Sequence, residues 1–283
     1  MKFDAHKYVT DLMIEGLKKG RIPWKKPWKL SGPKFPTNMK TDNFYHGINT
    51  LVLSNIAYAK GFKSNWWMGY HQAIELGGNV RKGEKGSWCL ICNPIMEKDD
   101  KTKLKYMYFS HRTVFNIDQI DGIEVEPEPQ IDFNPVQAAE DLLASMQHVP
   151  EIKESLTEAS YIHSPILGGT DYIYMPKKDV FSHENFYYST LFHEITHSTN
   201  NPARLNRESL EYAEEELVAE LGSSILCTEA GIIEETKEHS QAYINGWISK
   251  LENDPKMIMK CSSLANRAIK YLLPEEAEAE KTA

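Results

Sequence analysis

The sequence predicts an α+β protein of two domains, and three observations carry that reading. Residues 1–122 hold 20 Lys/Arg against 11 Asp/Glu, a surplus of +9, while residues 123–283 hold 12 against 29, or −17. The segment Glu124-Val125-Glu126-Pro127-Glu128-Pro129 alternates Glu with Pro, which favours an extended, solvated connection without a hydrophobic period. Ahead of it helical stripes lead into a strand hairpin, and after it helical patterns dominate. The expected division is a small first domain over 1–122, a linker over 123–134 and a helix-rich second domain over 135–283.

The elements follow in chain order. Tyr8, Val9, Leu12, Met13 and Leu17 form a helical stripe within 5–19. A loop rich in Pro and Lys runs over 22–36, and a second helix is expected over 49–60. A short helix over 69–76 is ended by Gly77-Gly78. Ser87–Cys92 and Lys105–Asn116 read as strands, the second rich in Tyr, Phe and Val. Beyond the linker, Val136, Ala139, Leu142 and Leu143 mark a helix over 135–146. An alternating strand covers 171–176. A long helical stretch then follows Asn185, and another covers 210–230, ending near Gly231. The acidic tail 275–283 is expected to fray.

Composition excludes several classes. With 41% hydrophobic and 11% aromatic residues the chain can bury a core, so disorder is not its default state. No apolar run approaches the roughly 20 residues of a membrane span. The first residues lack the charged and apolar regions of an export signal, so the expected location is cytoplasmic. Cys89, Cys92, Cys227 and Cys261 then read as free thiols. The Cys89-x-x-Cys92 pair has no second CxxC or CxxH at zinc-ribbon spacing and reads as ordinary strand residues.

His193-Glu194-Ile195-Thr196-His197 sets two imidazoles four residues apart, so on a helix both address one metal ion. Glu194, one residue after the first histidine, is placed to reach a water on the metal as general base. The bland alternative is a pair of surface histidines on an acidic helix. A catalytic zinc requires a third protein ligand. Glu216 and Glu220, at i and i+4 on a helix flanked by Leu217, Leu221, Ile225 and Leu226, share a face that is costly for carboxylates without a partner. One of them is expected to ligate and the other to anchor a histidine ring, with Glu216 the preferred ligand. Glu211, Glu214 and Glu215 fit a solvated stripe better. The expected ion is zinc, with manganese the alternative. Strand 171–176 is expected at the cleft edge, where an extended peptide can add to it. Tyr187, Tyr188 and His183 suit structural roles better than oxyanion binding.

The basic part interleaves indoles with ammonium groups in Pro23-Trp24-Lys25-Lys26-Pro27-Trp28-Lys29, which combines base stacking with phosphate attraction. Arg81, Lys82 and Lys85 lie in a glycine-flanked basic turn whose backbone can approach a phosphate, or which is a solvated hairpin loop. Tyr45 and the Trp66-Trp67 pair either stack on bases or fill the core, with one tryptophan assigned to the core.

Taken together, these segments resemble the ArdC antirestriction proteins of conjugative elements, whose N-terminal domain also resembles part of TraC-type primases. The resemblance is carried by Pro23-Trp24 through Trp28, Tyr45-His46-Gly47-Ile48-Asn49, Gly77-Gly78, Val80 to Gly86, Val114-Phe115-Asn116, the HEITH motif and Glu215 to Gly222. It implies a single-stranded-DNA-binding first domain that brings Asn49 among the DNA-binding candidates, and a zincin-like metallopeptidase second domain. It also implies protection of incoming DNA from restriction. The protein substrate is not identified by any of these residues. Two other readings compete: a passive DNA shield whose metal only stiffens the fold, and a DNA-dependent protease acting on DNA-bound proteins.

Overall fold

The computed structural model describes residues 3–25, 30–125, 135–164, 169–232 and 241–274. Its residues group into two units, neither continuous in sequence. The first comprises Met1–Pro23, Leu30–Gln130 and His239–Met259, and the second Trp24–Lys29, Ile131–Glu238 and Lys260–Ala283. Two segments thus lie across the single cut expected near 123–134. Apolar side chains explain both. Helix α7 (Gln241–Asn253) buries Ile244, Trp247 and Leu251 in the first unit, and Trp24 is only 2% exposed.

In the first unit α1 (Ala5–Lys18) buries Val9, Met13 and Leu17, the stripe visible in the sequence. Asp4 caps it by accepting the Lys7 N–H at 3.0 Å. The Thr10 hydroxyl donates to the Pro255 carbonyl at 2.8 Å, fixing the chain just after α7. Helix α2 (Ile48–Lys60) ends at Gly61, whose φ of 70° is the left-handed stop that glycine supplies. Five short strands escape the periodicity argument: β1 (Thr37–Asn38), β2 (Asn43–Phe44), β3 (Trp66–Met68), β4 (Asn79–Val80) and β7 (Ile120–Asp121). Helix α3 (Tyr70–Glu75) separates β3 from β4. The expected hairpin is formed by β5 (Ser87–Met96) and β6 (Leu104–Asn116), and the sheet order is β2-β1-β3-β6-β5. Within it Trp67 is fully buried, so of the Trp66-Trp67 pair it is Trp67 that fills the core.

The second unit holds α4 (Pro135–Ser145), β8 (Glu151–Ser155), β9 (Ser160–Ser164), β10 (Thr170–Pro176), α5 (Glu184–Ser198) and α6 (Tyr212–Glu229), with most of α8 (Met257–Leu272). Ile173 and Met175 of β10 pack with Leu191, Phe192 and Ile195 of α5 and Leu226 of α6 in one core. The expectation for strand 171–176 is corrected here. β10 is the central strand of the order β8-β10-β9, and β9 and β8 are the edges. Glu151-Ile152-Lys153-Glu154-Ser155 pairs parallel to β10, and its polar sequence carries no strand signal.

Candidate metal centre

Helices α5 and α6 pack closely enough to bring their functional side chains together. A Cβ on Gly222 would lie 2.5 Å from Thr196 Cγ2, so only glycine permits this approach of α6 to α5. One residue on, the Ser223 hydroxyl donates to the Ser189 carbonyl at 2.7 Å.

His193 and His197 stand one turn apart on α5, their Nε2 atoms 3.0 Å from each other. Glu216 of α6 faces both, with Oε2 3.7 Å from His193 Nε2 and Oε1 3.6 Å from His197 Nε2. These three offer donor atoms that all lie within 4.8 Å of one another, a set able to hold a metal ion. Metal–nitrogen bonds of about 2.0–2.1 Å in a tetrahedral site put neighbouring donors roughly 3.3 Å apart, so the set fits one small ion and leaves a position open. Burial pushes His193 down to about 4, the neighbouring His197 ring adding to the effect, which keeps its lone pair available.

The ring of His197 is held from behind. Its Nδ1 is 3.4 Å from Glu215 Oε1, and the Glu215 carboxylate takes Arg207 in a fork, Nε at 2.9 Å and the NH2 nitrogen at 2.7 Å. Arg207, itself buried, also donates to Thr199 Oγ1 and to the Thr196 carbonyl. Burial works against a charged Glu215, and the His197 and Arg207 contacts outweigh it, so its carboxyl lies below the ordinary range. The second-residue role expected of Glu216 or Glu220 therefore belongs to Glu215. Glu220 instead has Lys25 3.6 Å from its Oε2 and lies outside the three-residue set.

Glu194 is 8% exposed and accepts the Tyr161 backbone N–H from edge strand β9 at 2.7 Å. Burial raises its carboxyl above the ordinary value. Tyr161 is fixed in turn, its hydroxyl donating to Asp171 Oδ1 at 2.8 Å, while Arg204 clamps Asp171 at 2.6 Å. Tyr188 is structural as expected, its buried hydroxyl meeting Glu140 and Lys178.

Several residues selected for DNA binding are occupied by the fold. Trp24 is buried, and its carbonyl accepts the Ser224 hydroxyl, so it presents no face to a base. Lys25 lies beside Glu220 rather than in a free basic loop. The Asn49 amide clasps edge strand β5, donating to the Leu90 carbonyl at 2.8 Å and accepting its N–H at 2.7 Å. Arg81 pairs with Glu84 and Asp121 and donates to the Asp118 carbonyl. Tyr45 is half-buried, its hydroxyl bound by Asn38, and burial pushes its phenol up to about 12. Lys82 and Lys85 are exposed, while Lys26 and Trp28 lie outside the described residues.

Comparison with known proteins finds a family match in each half of the chain. Residues 3–116 match the N-terminal domain of anti-restriction factor ArdC, and residues 137–264 match a zincin-like metallopeptidase domain. The chain is similar to the antirestriction ArdC protein from plasmid R388 in its metal-free crystal structure, at TM-score 0.74 and 33% identity, over 95% of this chain and 96% of that one. The Mn(II)-bound structure of that protein gives TM-score 0.74 and 34% identity, over 95% and 97%. A DNA primase TraC of Escherichia coli is 32% identical over 98% of this chain, which spans only 28% of that protein's length.

Proposed function

The chain belongs to the ArdC antirestriction family, and from that premise we propose that it binds single-stranded DNA through its first unit and hydrolyses peptide bonds at the His193–His197–Glu216 centre of its second. The observation that carries the enzymatic half is the convergence of those three donors with a buried Glu194 on the adjacent helical turn. A bound zinc or manganese ion would polarise the scissile carbonyl and bring the pKa of a water to about 7. Manganese is a candidate because a similar protein was crystallised with it.

The chain's own residues supply the rest. Glu194 would take a proton from the attacking water and return it to the leaving amine, held in place by the Tyr161 N–H. Glu215, bonded to His197 Nδ1, keeps the opposite nitrogen unprotonated and aimed at the ion. The first unit holds 19 Lys/Arg against 16 Asp/Glu and the second 13 against 24, an asymmetry that supports DNA binding by the first, since local field governs encounter with a polyanion. No helix among the described residues is long and apolar enough to cross a membrane, and we place the action on incoming DNA in the cytoplasm.

Elemental analysis of the purified protein beside His193→Ala and Glu194→Gln tests the centre. About one metal ion per chain, lost in His193→Ala and kept in Glu194→Gln, is expected. Hydrolysis of a casein-type substrate should fall at least a hundredfold in Glu194→Gln. Absence of metal from protein prepared without chelators would sink the assignment. Hydrolysis unchanged in Glu194→Gln would remove it as the base.

A further inference from the structure

We propose that the side of the β5–β6 hairpin bearing Tyr106 and Tyr108 is a stacking platform for single-stranded DNA, the two tyrosines each receiving a base and Arg112 a phosphate. The proposal rests on the reading of the first unit as a single-strand-binding module and names the place where binding occurs. Cross-strand register carries the geometry. Tyr106 faces Ile95, Tyr108 faces Asn93, Ser110 faces Ile91 and Arg112 faces Cys89, so the two tyrosines and the arginine share one side of β6.

Near its base this face is closed by the buried Cys89 and Val114, and toward the tip it opens at the two tyrosines. Tyr106 is 52% and Tyr108 47% exposed, and neither ring packs against another ring among the described residues. On the opposite face Trp88 and His111 are already engaged, with Phe3 5.5 Å from Trp88, Tyr8 5.1 Å from Trp88 and His111 4.4 Å from Trp88. Those rings stabilise the fold by packing on each other. The tyrosine rings make no such contact among the described residues, which leaves their faces open to a planar group.

Spacing and charge select the occupant. Two positions along a strand are about 7 Å apart, which lets an extended, unstacked strand lay one base on each ring. Arg112 makes no ion pair among the described residues, and residues 87–116 hold five Lys/Arg against three Asp/Glu, Lys103 being paired with Glu97. The first unit as a whole holds 19 Lys/Arg against 16 Asp/Glu, so with Arg112 beside the two rings the face is complementary to a polyanion with planar groups. Stacking tolerates any base, so binding without sequence preference is expected.

The full-length protein and its Tyr106→Ala/Tyr108→Ala variant are titrated against fluorescein-labelled oligo(dT) by anisotropy, with Tyr106→Phe/Tyr108→Phe as the stacking-competent control. Each stack is worth about 1–3 kcal/mol by alanine substitution, so the alanine pair should bind at least tenfold more weakly. The phenylalanine pair should stay within twofold of wild type. Arg112→Gln should flatten the salt dependence by about one unit of slope. Wild type binding with the alanine pair unchanged overturns the platform and leaves the first unit a DNA binder by another face. Wild type failing to bind overturns the DNA-binding reading, and the platform with it. Unchanged DNA binding joined to loss of a dimer in light scattering would make the face a contact between copies and also overturn the proposal.

Discussion

The charge on Glu215 does more for the metal centre than its place in an acidic run suggests. Its carboxylate joins Arg207 to His197, so ring orientation and the availability of Nε2 both depend on it. Glu215→Gln keeps the shape and an acceptor for His197 but removes the charge. Metal affinity, measured by calorimetric titration with Mn(II) or Zn(II), is expected to fall about 10- to 100-fold. Breaking a buried pair costs about 3–5 kcal/mol, so the melting temperature should fall as well. A role confined to folding would lower melting alone, and an unchanged metal affinity would reduce Glu215 to that role. This residue was not legible in the sequence. The i, i+4 rule selects Glu216 and Glu220 as a shared face, but it cannot say how far along α6 the histidines reach. It also cannot see that Arg207, in the preceding loop, converts Glu215 from a solvated charge into a buried one. Trp24 failed in the opposite direction, because an indole next to a pair of lysines reads equally well as a stacking residue and as a plug.

At the scale of the element, the close approach of α5 and α6 decides whether Glu216 reaches the histidines. Gly222→Ala would drive its Cβ into Thr196, and overpacking of this kind costs about 1–3 kcal/mol. Part of that cost should appear as displacement of α6, so Gly222→Ala is expected to lower both melting temperature and metal affinity. Adding Thr196→Ala removes the colliding methyl and hydroxyl and should recover most of both. Failure of the second substitution to rescue the first would show that Gly222 serves some purpose other than helix approach. The helices themselves were readable because each is long and periodic. The two-residue strands β1, β2, β4 and β7 are too short to carry a period, and β8 has polar residues where a strand reading needs β-branched or aromatic ones. Missing β8 is what turned central strand β10 into an expected edge.

Over the whole molecule, charge asymmetry puts a change of character near residue 123, while the two units themselves carry +3 and −11. It could not show that the chain returns, because a helix contributes to a unit through apolar contacts rather than charge. Helix α7 places Ile244, Trp247 and Leu251 in the first unit, where α1 buries Val9, Met13 and Leu17. Full burial of such side chains is worth about 1.5–3 kcal/mol each, an upper bound because unfolded chains are already partly compact. Three of them amount to roughly 4.5–9 kcal/mol, comparable with the entire stability of a small domain at about 5–15 kcal/mol. A fragment of residues 1–125 is therefore expected to melt without cooperativity and to bind a hydrophobic dye. A synthetic peptide covering 241–259 should restore a cooperative transition and suppress dye binding, whereas a peptide with Trp247→Ala and Leu251→Ala should not. If the fragment alone melts as sharply as the intact chain, α7 is dispensable to the first unit, and the simple cut near residue 123 suffices to describe its folding.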